Sequence, residues 1–126
     1  MEFENHKVRQ LFRKLCDARM YNFPRKGYTE NIGVPPEQGV YVIYDPQKKV
    51  VHVGRTQRAR RGLRQRLNNH LLGQSSFVEK YLRRKSSRLR AGYKFRYLVL
   101  DSPRNRALLE ALAIGVLCPK HIGLGE

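Results

Sequence analysis

The chain predicts an α/β (α+β) fold: a small three-stranded, mainly antiparallel sheet flanked by helices. Three observations carry this reading. Two runs rich in β-branched and aromatic residues, 39–45 and 50–54, lie either side of a short turn. A later run from Tyr93 to Leu100 alternates apolar with polar residues and supplies a third strand. Around these, leucines recur at helical spacing. A length of 126 residues with 40% hydrophobic content suits one core, so a single domain over 1–126 is expected, with a helix and loop over 1–37 and the main body over 38–122.

In chain order, Phe3 to Tyr21 reads as a helix with Val8, Leu11, Phe12 and Leu15 along one stripe. Residues 24–38 form a loop carrying Gly27, Gly33 and Pro35-Pro36. Gly39-Val40-Tyr41-Val42-Ile43-Tyr44-Asp45 is a strand, and Asp45-Pro46-Gln47-Lys48-Lys49 is a turn that Asp45 can cap. Val50 to Gly54 returns as the second strand of a hairpin. Alternation places Tyr41 and Ile43 on one face of the first strand, and on the second separates His52 from Val51 and Val53. The hairpin can therefore bring Tyr41 beside His52.

From Gly62 onward, Leu63, Leu67 and Leu71 mark an amphipathic helix on which Arg66 and His70 stack one turn apart, at the edge of the leucine face. Residues 75–85 read as another helix, capped by Ser75 or Ser76 with Glu79 in capping-box range and Phe77, Val78, Tyr81 and Leu82 facing inward. Asp101-Ser102-Pro103 opens a last helix that runs to about Leu117 and stops before Pro119. The chain contains no internal repeat and no low-complexity segment.

Charge says most about the partner. Lys and Arg number 26 against 10 Asp and Glu, a formal net charge of +16, and the excess is clustered. Arg55, Arg58, Arg60, Arg61, Arg64 and Arg66 crowd the segment after the hairpin; Lys80, Arg83, Arg84, Lys85, Arg88, Arg90, Lys94 and Arg96 crowd the next. So much like charge on a small fold repels itself, and a polyanion relieves it. Arginine predominates in the first cluster, which suits bidentate phosphate contacts. Nucleic acid is thus favoured over a mere solubility face. No run approaches the length that spans a bilayer and no apolar leader opens the chain, so a cytoplasmic protein without a membrane partner is expected. Cys16 and Cys118, far apart and in apolar contexts, read as reduced thiols in or near the core. Cys118-Pro119-Lys120-His121 has half the spacing of a zinc site, without a convincing second half.

Tyrosine, histidine, arginine and a lone glutamate form the parts list for cutting a phosphodiester. In-line attack needs an activated water, stabilised charge on the phosphoryl group and help for the leaving oxygen. Magnesium keeps most of its waters, so one well-placed carboxylate can anchor it. Glu110, embedded in Leu108-Leu109-Glu110-Ala111-Leu112-Ala113, is the single acid of its helix; a buried ion pair to a neighbouring arginine is its plainer reading.

At Gly39-Val40-Tyr41 and His52-Val53-Gly54, with Arg66, His70 and Glu110 following in order, the sequence resembles the GIY-YIG nuclease superfamily over residues 38–122. The resemblance implies a metal-dependent endonuclease using one Mg2+ (or Mn2+) per site, with DNA the favoured substrate. It implies catalytic roles for Tyr41, His52, Arg66, His70 and Glu110: Tyr41 or His52 in activating water, Arg66 on the scissile phosphate, Glu110 on the metal. Arg55, Arg58, Arg60, Arg61, Arg64, Lys80, Arg83 and Arg84 would contact nucleic acid, and Tyr28, just ahead of the first motif, would approach the site. Two departures stand out. Histidine replaces the usual tyrosine of the second motif at His52, and Pro119-Lys120-His121-Ile122 lacks the asparagine many members carry there. The competing readings are a GIY-YIG-like nucleic-acid-binding module with little activity, and a basic partner of an acidic protein. Without an appended recognition domain, recognition is expected from the N-terminal helix and loop, the arginine-rich segment, a homodimer or a partner.

Overall fold

A computed structural model describes residues 2–25, 32–57 and 60–123. At its centre the hairpin forms as its residues dictate. Strand β2 (Gly39–Tyr44) pairs antiparallel with β3 (Val50–Arg55). The turn between them is held by Asp45, whose Oδ1 accepts the N–H of Gln47 and of Lys49, each at 2.9 Å. A short acidic side chain that mimics a backbone acceptor is the reason such a turn starts on aspartate. A bulge lies between Ile43 and Tyr44, where the partner skips from His52 to Val50. Val51 is thereby turned onto the face of Tyr41 and Ile43, while Val53 packs with Val40, Val42 and Tyr44 on the other. Strict alternation placed Val51 and Val53 together; the extra residue of the bulge separates them.

Four strands, rather than three, make the sheet. Strand β4 (Lys94–Val99) lies on the other side of β2, and the two-residue β1 (Tyr21–Asn22) adds to β4, giving the order β1-β4-β2-β3 with every pair antiparallel. The added strand begins at Tyr21, where the sequence pattern ends the first helix. Helix α1 (Glu2–Asp17) instead stops four residues short of Tyr21. Arg96 Nε then takes the Ala18 carbonyl at 2.8 Å, and the Tyr21 ring stacks on Phe95 and Tyr97 at centroid distances of 5.7 and 5.6 Å.

Two layers of helix cover the sheet. Helix α1 and helix α3 (Pro103–Leu117) pack on one face, around Leu15, Val40, Val42, Leu109 and Ala113. Helix α2 (Gly62–Leu71) and the segments that follow it cover the other, around Tyr41, Ile43, Leu63, Leu67, Phe77 and Phe95. Helix α3 begins as its sequence signals: Ser102 Oγ accepts the Asn105 N–H at 3.2 Å and Pro103 fills the first turn. It ends at Cys118, in the left-handed conformation with φ 49° and exposed, so this thiol lies outside the core; Cys16 is half-buried. The helix expected over 75–85 is one π-helical turn, Phe77–Tyr81, followed by a 3-10 turn over Ser86–Arg90. Consecutive left-handed residues, Arg83 and Arg84 at φ 52° and 65°, stop it, although Phe77, Val78 and Leu82 are buried as expected. No helix among the described residues is long and apolar enough to cross a membrane.

One buried arginine ties the layers. Arg106, in the first turn of α3 and only 4% exposed, donates to the carbonyls of Thr56 (3.1 Å), Leu100 (3.0 Å) and Asp101 (2.7 Å). Nothing in the local sequence singles this arginine out from the many exposed ones.

Candidate active site

Tyr41 stands at the middle of β2 directly opposite Gly54. A Cβ on Gly54 would overlap the tyrosine hydroxyl and ring, so the second motif ends on glycine because the Tyr41 ring lies across that position. The ring is fully buried, and its hydroxyl is 2.7 Å from His70 Nε2 on α2. His70 Nδ1 in turn lies 2.7 Å from Ser75 Oγ, which also accepts the Val78 N–H at 3.2 Å. Ser75, expected only as a helix cap, therefore caps the turn and orients a histidine. Burial pushes Tyr41 up to about 12, opposed by the charge and hydrogen bonding of Arg66 and reinforced by the Glu110 carboxylate. The same burial, with His52, Arg66 and His121 nearby, holds His70 neutral, well below the usual histidine range.

His52 comes to the same face, as alternation expects, but touches Tyr41 only ring to ring, at 5.9 Å between centroids. It stacks on Phe77 at 4.7 Å and 19°, and His121 closes over it at 5.4 Å. Burial first, then His121 and Arg66, lowers it to about 3. Neither ring nitrogen of His52 has a hydrogen-bond partner among the described residues, nor does His121 Nε2. His70, not His52, is the hydrogen-bond partner of Tyr41. His121 was legible as a departure from the motif and as half of a zinc-site spacing, not as a neighbour of His52; its backbone N–H donates to the Val51 carbonyl at 2.9 Å, which carries the C-terminal segment to the site.

Glu110 projects from α3, which packs on β3 at the sheet edge, and its Oε1 is 3.7 Å from Arg55 Nε. Burial raises its carboxyl above the usual range, countered by Arg55 and Arg66. Tyr41, Arg66, His70, His52 and Glu110 thus converge, joined by Arg55. Glu110 supplies a single half-buried carboxylate, an oxygen ligand of the kind a hard, hydrated cation takes; the described residues contain no cluster of three or more His, Cys, Asp or Glu placed to hold a metal.

The expected nucleic-acid contacts fare unequally. Arg60, Arg61, Lys80, Arg83 and Arg84 are exposed; Lys80 lies near His121, and Arg84 is 3.8 Å from Glu79. Arg64 donates to the Val34 carbonyl at 2.8 Å and so helps hold the loop that precedes β2. Arg58 and Tyr28 lie outside the described residues.

Two buried neutral histidines are expected to make the fold acid-labile. Below pH 6.5 the unfolded chain binds a proton at each, whereas the folded chain keeps His52 neutral down to about 3 and holds His70 neutral well below the usual histidine range. Acid therefore favours unfolding, by about 1.4 kcal/mol per pH unit for each histidine. Urea midpoints are expected to fall steeply from pH 6.5 to 5, and His52→Tyr should remove about half of that slope. A midpoint flat across this range would contradict the buried neutral pair.

No protein-family model matches the chain, and no curated protein matches it. Solved structures do. The GIY-YIG N-terminal endonuclease domain of UvrC from Thermotoga maritima, bound to magnesium as its catalytic divalent cation, aligns at 21% identity with a TM-score of 0.52, covering 93% of this chain and 97% of that one. A tyrosine-to-phenylalanine point mutant of the same domain, bound to its catalytic divalent cation, aligns at 22% identity with a TM-score of 0.54, over 75% of this chain and 92% of that one. An asparagine-to-alanine point mutant aligns at 21% and 0.52. The chain has the fold of GIY-YIG endonuclease domains.

Proposed function

We propose that this chain is a metal-dependent GIY-YIG-type endonuclease that hydrolyses phosphodiester bonds of nucleic acid, with DNA the favoured substrate. The observation that carries the reading is the Tyr41 hydroxyl, buried and 2.7 Å from a neutral histidine, with Arg66 beside it and the Glu110 carboxylate close by. A purely structural tyrosine needs neither. Arg66 binds the non-bridging oxygens of the scissile phosphate, where a guanidinium stabilises the growing charge. Glu110 holds the cation; when bound, Mg2+ or Mn2+ supplies further charge stabilisation and support for the leaving oxygen. Arg55, now 3.7 Å from Glu110, would be released to contact a phosphate where Glu110 holds the cation.

Tyr41 handles the proton of the attacking water. At about 12 it is a poor standing base. It works by taking the water's proton on its oxygen while passing its own to His70 Nε2, with Nδ1–H donating to Ser75 Oγ; the negative charge of the bound phosphate offsets the burial and the neighbouring Arg66 that otherwise keep His70 neutral. His52, neutral and stacked, lines the site with an unspent acceptor nitrogen.

Labelled single- and double-stranded DNA incubated with and without magnesium tests the reading. Cleavage only with metal is expected; binding without cleavage under Mg2+ and Mn2+ would favour the weakly active binding module. The charge excess adds a second expectation. Affinity for duplex DNA should fall steeply with salt, with a logarithmic slope of about −0.9 for each phosphate neutralised. A flat dependence between low and physiological salt would exclude a nucleic-acid partner.

A further inference from the structure

Beside the candidate active site, the β2–β3 turn and the segment before β4 enclose a hollow of about 400 Å³, within the range of small-molecule sites. Its walls are Tyr81, Tyr93, Arg88, Lys120 and Asp45. We propose that this hollow holds a single nucleotide of the bound strand, the base against Tyr81 and the phosphate on Arg88 and Lys120. The inference rests on the nuclease reading for the polymer that supplies the nucleotide.

Placement argues for it first. Phe77 stacks on His52 at 4.7 Å and on Tyr81 at 5.5 Å, so a run of stacked rings leads from the site to the hollow. Tyr81 also faces His121 at 6.5 Å. It is half-exposed, which leaves ring surface for a base, and base–aromatic stacking needs no particular base identity. Charge argues next. Asp45 Oδ1 accepts two backbone N–H groups of the turn and its Oδ2 faces Lys120 Nζ at 3.7 Å, so this pair is neutral and the excess charge comes from Arg88. Arg88 is exposed, and no carboxylate pairs with it among the described residues. The hollow therefore keeps a net positive charge. Tyr93 lines the same hollow, and its hydroxyl, raised chiefly by burial, feels Arg88, Tyr81, Asp45 and Lys120.

The test is a metal-free NMR titration of the ¹⁵N-labelled chain with dAMP and with dCMP, and with inorganic phosphate and deoxyadenosine as separate arms. The monophosphates are expected to shift the amides of Gln47, Gly92 and Lys120 saturably, and each half-ligand to bind more weakly. Tyr81→Leu and Arg88→Gln should each weaken the monophosphates by at least about fivefold, the low end for a lost base–aromatic stack. Tyr81→Phe, which keeps the ring, should not; the spectra themselves report whether each variant folds. Equal binding of inorganic phosphate, shifts confined to other surfaces, or an affinity unchanged by Tyr81→Leu would overturn the proposal. Because no metal or cleavage enters this readout, a failed titration leaves magnesium-dependent cleavage standing. Saturable binding in a chain that never cuts would remove the nuclease reading instead.

Discussion

Glu110→Gln is expected to abolish cleavage while leaving nucleic-acid binding intact or tighter. The amide keeps the size and shape of the side chain but loses the charge that holds a divalent cation. It also frees Arg55 and Arg66, both of which now feel the carboxylate, to engage phosphates. The pair with Arg55 is partly exposed and 3.7 Å long, so its loss should change stability little. Cleavage of end-labelled DNA under magnesium, alongside fluorescence anisotropy with the same DNA, separates the two effects. Retained magnesium-dependent turnover would remove Glu110 from the metal.

Tyr41→Phe should keep the ring that fills the space over Gly54 and lower turnover by roughly the 10²–10⁴ typical of lost general acid–base catalysis. The variant strands His70 Nε2 in the core, at a cost of about 1–3 kcal/mol. Single-turnover rates should therefore be taken well below its unfolding temperature. His52→Tyr provides the contrast. It restores the residue usual in the second motif and breaks no hydrogen bond, since both ring nitrogens of His52 lack partners among the described residues. Measurable activity is expected from it. If His52→Tyr is inactive and Tyr41→Phe still cuts, the roles are reversed and His52 takes the water's proton.

Local pattern explains which parts of this fold can be read from the chain. The β2–β3 hairpin, helix α2 and helix α3 announce themselves through β-branched runs, an Asp-Pro turn, leucines at helical spacing and a Ser-Pro start. Tyr41, His52, Arg66, His70 and Glu110 follow because each sits on one of those elements. What escaped depends on partners distant in sequence. Strand β1 is two residues long, too short for any period, and exists because β4 lies beside it. The face of Val51 depends on one bulged residue, which no alternation rule anticipates. The turn at Phe77 has the composition of a longer helix, yet the backbone reverses at Arg83 and Arg84. Ser75 carried two meanings at once, cap and histidine partner, and only the position of α2 reveals the second.

Arg106 bears on how this protein tolerates genetic change. Its three hydrogen bonds end on main-chain carbonyls, one of them at Thr56, next to Arg55 in sequence, and Arg106 lies one helical turn ahead of Glu110. The staple therefore sets the strand end that carries Arg55 against the helix that carries Glu110. A side-chain partner could be lost to mutation at its own codon, but a carbonyl is present whatever residue stands there. Changes of identity at positions 56, 100 and 101 therefore leave the staple's acceptors in place, although the buried Thr56 hydroxyl accepts the Gly39 N–H at 3.0 Å and Leu100 packs against the core in their own right; the donor side of the staple rests on codon 106 alone. Lysine there brings one amine where a planar fork of donors now reaches both neighbouring segments, so even that conservative change should loosen the join.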